Sequence, residues 1–177
     1  MSRFLTRTVH SVSTDEVDRL VQAWRRERPD LDVAPMEVLS RVSRLARHLD
    51  RARRSAFAAH GLEPWEFDVL AALRRSGPPY ELSPGTLLAQ TLVTSGTMTT
   101  RVDKLTARGL VTRRRDEQDR RAVQVALTDD GRAAVDAALE SLLAHERQIL
   151  ADIGDADRRS LARLLRTLVL PFDDVDD

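Results

Sequence analysis

The stretch that most constrains this chain lies between Glu81 and Gly131. Two short helical segments follow one another there, then come a glycine stop and two strand-like runs joined by an arginine-bearing turn. The first helix starts at Ser83-Pro84, an N-cap hydroxyl followed by a proline whose missing N–H costs nothing at the first helical position, and it runs to about Thr91. The second opens at Thr94-Ser95 and carries Met98, Val102 and Leu105 at i, i+4 and i+7, an apolar stripe for packing on a body. Gly109 ends it. Leu110 to Arg113 reads as a strand, and Val123, Val125 and Leu127 alternate with Ala122, Gln124 and Ala126 as a half-buried strand does. This order predicts a winged helix-turn-helix, with duplex DNA as its leading partner.

At about 100° per residue, the face opposite the stripe holds Gly96, Thr97, Thr100, Asp103 and Lys104. Small polar groups there come close to base edges and phosphates in a major groove. Ser83, Thr86 and Ser95, in the first turns of the two helices, are further DNA-facing candidates. Arg101 falls elsewhere, roughly 60° from the stripe, and so borders the interior. The turn from Asp116 to Arg121 carries Arg120 and Arg121 at a hairpin tip, where guanidinium groups suit a narrow, negative minor groove. Alone, such a run is more often just a solvated charged hairpin; the ordered combination points to DNA.

Charge does not oppose that partner. The chain is formally neutral, with 28 basic and 28 acidic side chains, but unevenly so. Arg101 to Arg121 holds eight basic against four acidic residues, and Pro171 to Asp177 holds four aspartates and no base. Local charge decides phosphate binding, so a neutral chain can still grip a duplex. With no cysteine, disulfides, thiolate metal sites and thiol-based sensing are excluded. His10, His48, His60 and His145 lack metal-ligand spacing, and no nucleophile elbow, glycine-rich phosphate loop or paired catalytic carboxylates stand out. The expectation is therefore no enzyme, no cofactor and no metal. The sequence also has no apolar run of about 18 residues and no signal-peptide core, so a cytoplasmic protein without membrane contact is expected.

The remainder reads as helix, giving a mainly α fold with a small β wing. Ser13 and Glu16 form a candidate capping box before Val17, Leu20, Val21 and Trp24, in a helix ending before Pro29. A long helix from about Pro35 carries Val38, Val42, Leu45, Leu49, Ala52 and Ala56 in 4-3-4-3-4 spacing. Another begins near Glu63-Pro64 and ends before Gly77-Pro78-Pro79. Thr128 caps a helix through Val135, Leu139 and Leu142, and Asp155 caps a last one with Leu161, Leu164, Leu165 and Leu168 on one face. Seams so close to a heptad suggest pairing with a second subunit, although helices burying each other within one chain would use the same pattern. A two-fold homodimer would set two recognition helices about one DNA turn apart and require a pseudo-palindromic operator.

The block from Ser83 to Gly131 resembles the MarR family of dimeric winged-helix regulators, above all in Arg101-Val102-Asp103-Lys104-Leu105, Arg108-Gly109-Leu110-Val111 and Asp119-Arg120-Arg121 leading into Leu127-Thr128. The likeness extends over about residues 14–170. Trp24-Arg25-Arg26-Glu27-Arg28-Pro29-Asp30-Leu31-Asp32 and Glu66-Phe67-Asp68-Val69-Leu70 are similar to the PecS-like, urate-responsive branch, whose first helix most of the family lacks. This implies a single domain over 1–177, with an extra N-terminal helix at 14–28, dimerisation and scaffold helices at 35–60 and 128–170, and the winged lobe at 62–127. In that branch a tryptophan, an aspartate and two arginines hold the ligand; the matching positions are Trp24, Asp68, Arg101 and Arg113. Urate there releases the DNA, commonly derepressing a divergently transcribed efflux gene.

Each of the four has a second reading. Trp24 offers a flat face to a purine, or packs with its own helix's stripe. Asp68 has Pro64, Trp65, Ala71 and Ala72 as helical neighbours and thus no local cation, so if buried it needs a distant arginine, a ligand N–H or a raised pKa. Arg101 and Arg113 can each clamp an anion bidentately, or serve as a phosphate contact and a solvated strand residue. The expected function is a repressor released by a small planar anion such as urate. Response of the same scaffold to a carboxylate or phenolic metabolite, and a helical interaction module without DNA binding, are the alternatives.

Overall fold

The computed structural model describes residues 14–91, 94–115 and 123–173. The chain divides within its longest helix into two compact units, one ending at Asp50 and one beginning at Arg51.

The first unit is built on α1 (Glu16–Glu27) and the opening turns of α2 (Ala34–Ala58). The capping box of α1 is made by Asp15 and Asp18, not by the predicted pairing of Ser13 with Glu16; Ser13 lies outside the described residues. The change has a clear cause. The Asp15 carboxylate accepts the Asp18 N–H at 2.9 Å, the Asp18 carboxylate accepts the Asp15 N–H at 2.8 Å, and Arg41 of α2 bridges the two acids at 2.8 and 2.7 Å. Arg41 holds the Asp15 carboxyl down to about 2, helped by the Asp18 N–H. Val17, Val21 and Val33 form a small core beneath this ionic rim, with Met36 against it. The predicted seam does not close within the unit: Leu20, Val38, Val42 and Leu45 are all exposed.

The second unit holds α3 (Pro64–Arg75), β1 (Glu81–Leu82), α4 (Pro84–Thr91), α5 (Ser95–Ala107), β2 (Val111–Arg115), β3 (Val123–Leu127), α6 (Asp129–Ile149) and α7 (Asp155–Asp173), after the last turns of α2. Its core stacks Phe57 on Phe67 and gathers Leu70, Leu73 and Leu87 with Met98, Val102 and Leu105, the stripe read from the sequence. The sheet order is β1-β3-β2, antiparallel throughout, with Leu82 opposite Val125 and Val125 opposite Arg113.

The strand β1 was not anticipated, since two residues give no periodicity to detect. Its presence explains why the predicted alternation of β3 fails: Val123 is exposed, whereas Val125, Ala126 and Leu127 are all buried. The end of β3 flanked by β1 and packed on the core is covered on both faces, while Val123 lies beyond the reach of β1. At the last helix, Asp155 is the first helical residue rather than the cap preceding it.

Thr128 joins the wing to α6. Its hydroxyl accepts the Gly131 N–H at 3.0 Å, capping the helix, and lies 2.8 and 3.0 Å from the carbonyls of Gly109 and Leu110. The first turn of α6 is thereby seated directly on the exit of α5.

Candidate DNA-reading and ligand-binding site

Helices α4 and α5 are each opened by a hydroxyl. Ser83 Oγ accepts the Thr86 N–H at 3.1 Å and lies 2.9 Å from Thr86 Oγ1. Thr94 Oγ1 accepts the Thr97 N–H at 3.4 Å and lies 2.9 Å from Thr97 Oγ1. Thr100 Oγ1 donates to the Gly96 carbonyl at 3.1 Å. Ser83 and Thr94 therefore satisfy the two helix starts, and the hydroxyls of Thr86, Thr97 and Thr100 are held by bonds within those first turns. Thr86, Ser95, Thr97, Thr100 and Lys104 are exposed and Ser83 is half-buried. Arg120 and Arg121 lie outside the described residues.

The exit of α5 is fixed with equal care. Leu110 N–H bonds to the Leu105 carbonyl at 3.0 Å and Gly109 N–H to the Thr106 carbonyl at 2.9 Å, with Gly109 at φ +72°. This is the Schellman pattern, which needs a left-handed residue at that point. Arg108, at the cap, donates to Glu66 at 2.5 Å and to the Gly61 carbonyl at 2.8 Å. Glu66 is only 3% exposed and also accepts the Glu63 N–H at 2.9 Å, closing the capping box of α3. Sequence reasoning missed this tie between α3 and the recognition helix. A legible signal was the Glu63-Pro64-Trp65-Glu66 spacing, which places a capping-box acid at N3, but nothing local reveals its arginine, 42 residues away.

Removing that arginine strands a buried carboxylate. Breaking a buried pair costs about 3–5 kcal/mol; because the Arg108 side chain is 42% exposed, Arg108→Ala is expected to cost nearer 2 kcal/mol in urea unfolding. Adding Glu66→Gln should recover part of the loss, because a neutral amide is cheaper to leave underbonded. A midpoint unchanged by Arg108→Ala would show that water replaces the guanidinium without cost.

The four residues matched to ligand binding have distinct settings. Trp24 lies on α1 in the first unit and is 44% exposed. Asp68 is exposed, and its cation comes from outside its own helix: Arg53 of α2, at 3.3 Å. It lines a polar cavity of about 160 Å³ with Arg75, Gln90 and Thr91. Arg113, on β2, pairs with Asp103 of α5 at 2.5 Å, a link between wing and recognition helix. Arg101 is half-buried, with its guanidinium 5.5 Å from the Trp65 ring centroid. It lines a larger cavity, about 340 Å³, with Trp65, Gly96, Thr97, Thr100 and Lys104. Asp68 and Arg101 thus line two different cavities, and Arg113 lines neither of them. Among the described residues no cluster of metal-ligating side chains occurs, and no helix is long and apolar enough to cross a membrane.

A sequence model of the MarR family matches residues 60–122, the span from the start of α3 into the wing. The HTH-type transcriptional regulator PecS of Dickeya dadantii is 41% identical over 150 residues, 85% of this chain and 90% of the relative. The HTH-type transcriptional repressor NicR of Pseudomonas putida is 30% identical over 143 residues, 78% of this chain and 89% of its own. Among solved structures, a MarR family protein from Bacillus stearothermophilus aligns with a TM-score of 0.69 at 24% identity, over 81% of this chain and 99% of the other. BpsR of Bordetella bronchiseptica, whose DNA binding is regulated by 6-hydroxynicotinic acid, aligns with a TM-score of 0.54 at 28% identity, over 72% and 98%.

Proposed function

The chain belongs to the MarR family, in its PecS-like branch, and we propose that it is a repressor that holds a pseudo-palindromic operator as a homodimer and lets go when a small planar anion such as urate binds. As a MarR-family member it is a DNA-binding transcriptional regulator and not an enzyme. The observation that carries the reading is the outer face of α5: exposed hydroxyls oriented by the helix start, beside two cations, Arg101 and Lys104, that have no carboxylate partner among the described residues. Of the neighbouring cations, Arg108 at the end of α5 and Arg113 on β2 do each face an acid. Cations left without internal partners are available to phosphate.

Dimerisation is supported by apolar faces too continuous for a lone chain: Leu20, Val38, Val42 and Leu45 in one unit, Leu164, Leu168 and Phe172 on α7 in the other. On this reading 14–28 is an added sensor helix, 35–60 and 128–170 the dimerisation helices, and 62–127 the DNA-binding lobe. The class of effector is supported by the PecS-like residues Trp24, Asp68, Arg101 and Arg113, and by BpsR, which answers to a planar heteroaromatic acid.

The separate settings of Asp68, Arg101 and Arg113 are no obstacle on energetic grounds. The pairs Arg53–Asp68 and Arg113–Asp103 are both solvent-accessible, and such exposed pairs are worth about 0–1 kcal/mol each. An anion arriving beside Asp68 adds like charge, draws the arginines toward itself, and shifts the recognition helix through Arg101. Coupling of about 1–3 kcal/mol weakens DNA binding about 5- to 150-fold.

Footprinting on the chain's own promoter region, with and without urate, tests the proposal. A symmetric protected site that is lost on adding urate is the expected result. Loss with a carboxylate or phenolic compound but not urate moves the effector to that class, and an absence of protection on any promoter fragment removes the operator claim.

A further inference from the structure

The cavity of about 340 Å³ between α3 and α5 has an unusual floor. Trp65 is half-buried and packs on the core, so its ring is held in place. Two cations one helical turn apart on α5 lie over it: the Arg101 guanidinium at 5.5 Å and the Lys104 ammonium at 6.0 Å from the ring centroid. An indole is the best aromatic partner for a cation, contributing about 0.5–1 kcal/mol at an exposed site. A carboxylate would do the same work but would neutralise the cations. An indole orients them and leaves their charge intact.

We propose that Trp65 is a positioning residue for DNA binding: it holds Arg101 and Lys104 as a pair around this cavity, which seats one backbone phosphodiester of the duplex, with Thr97 and Thr100 as hydroxyl partners. The seat reads no base, because a phosphate oxygen carries no sequence information. The inference rests on the DNA-binding function and adds to the effector mechanism: in the resting protein Trp65 and the phosphate hold Arg101, and an anion that draws Arg101 away empties the seat.

The salt dependence of DNA binding separates this role from a structural one. On a duplex from the chain's own promoter region and on a scrambled duplex of the same length, Arg101→Ala and Lys104→Ala are each expected to lower the slope of log K against log salt by about one, equally on both. Trp65→Ala should lower it by about one or more and weaken both complexes about tenfold, whereas Trp65→Phe should retain most of the parent slope. Combining Trp65→Ala with Lys104→Ala should cost less than the sum of the two, since the indole acts through that cation.

A parent-like slope in Trp65→Ala and Arg101→Ala overturns the seat. A loss confined to the promoter duplex also overturns it, because it means base reading. If Trp65→Ala does not fold, the two cation variants decide alone, since neither side chain belongs to the buried core. A parent chain that binds neither duplex sinks the DNA-binding reading itself, an outcome distinct from normal parent binding with insensitive variants.

Discussion

Replacing Gly131 by alanine is expected to destabilise the folded chain by at least about 3 kcal/mol, lowering the thermal midpoint by about 6–12 °C. An added Cβ would lie 2.0 Å from the Leu110 carbonyl oxygen and 2.9 Å from its carbon, both backbone atoms, with a Leu127 methyl at 3.1 Å. No rotamer change relieves a clash with backbone, so α6 must lift from the exit of α5. Lifting stretches the hydroxyl of Thr128 from the Gly109 and Leu110 carbonyls it meets at 2.8 and 3.0 Å. The usual preference of a helix for alanine over glycine, about 1 kcal/mol, works in the opposite direction and is too small to win. The seating of α6 also fixes the axis of the recognition helix, so the variant should lose operator affinity under conditions where it is still folded. A midpoint within 2 °C of the parent would mean that α6 moves aside at little cost.

Gly131 also shows where the sequence was silent. A glycine in the first turn of a helix is a poor helix former, and that mismatch is the only local sign of a close approach; the carbonyl it approaches is 21 positions back. Local chemistry, by contrast, was plainly legible. Ser83, Thr94 and Thr128 cap the helices they were expected to cap, Gly109 takes the left-handed turn, and Met98, Val102 and Leu105 are at most 2% exposed. Each of these follows from neighbours within about one helical turn. What was not legible depends on partners far along the chain: Arg53 beside Asp68, Arg108 on Glu66, Asp103 beside Arg113, and the Trp65 floor beneath Arg101. Arg101 illustrates the limit. Its angular place beside the apolar stripe was read from spacing and agrees with its half-buried state, yet periodicity gives a direction and not the ring that waits there.

That ring makes Arg101→Gln the variant with the largest expected effect on regulation. In the parent, the effector is expected to weaken DNA binding about 5- to 150-fold, the range of a coupling of about 1–3 kcal/mol. In Arg101→Gln that ratio should fall to about one. Glutamine is shorter and neutral, so it answers neither the charge of an anion near Asp68 nor that of a phosphate above Trp65. Basal affinity should drop about tenfold for the missing contact, and what remains should be indifferent to urate. Ligand binding should weaken without vanishing, because one of the two arginines matched to the ligand, Arg113, is untouched, and a thermal shift at raised urate concentration would show it as added stability of the folded state. The two measurements together are decisive. Binding without release places Arg101 on the path from ligand to DNA; release that survives the substitution would mean that the recognition helix is moved by some other group, with Arg113 and its tie to Asp103 the next to be tested.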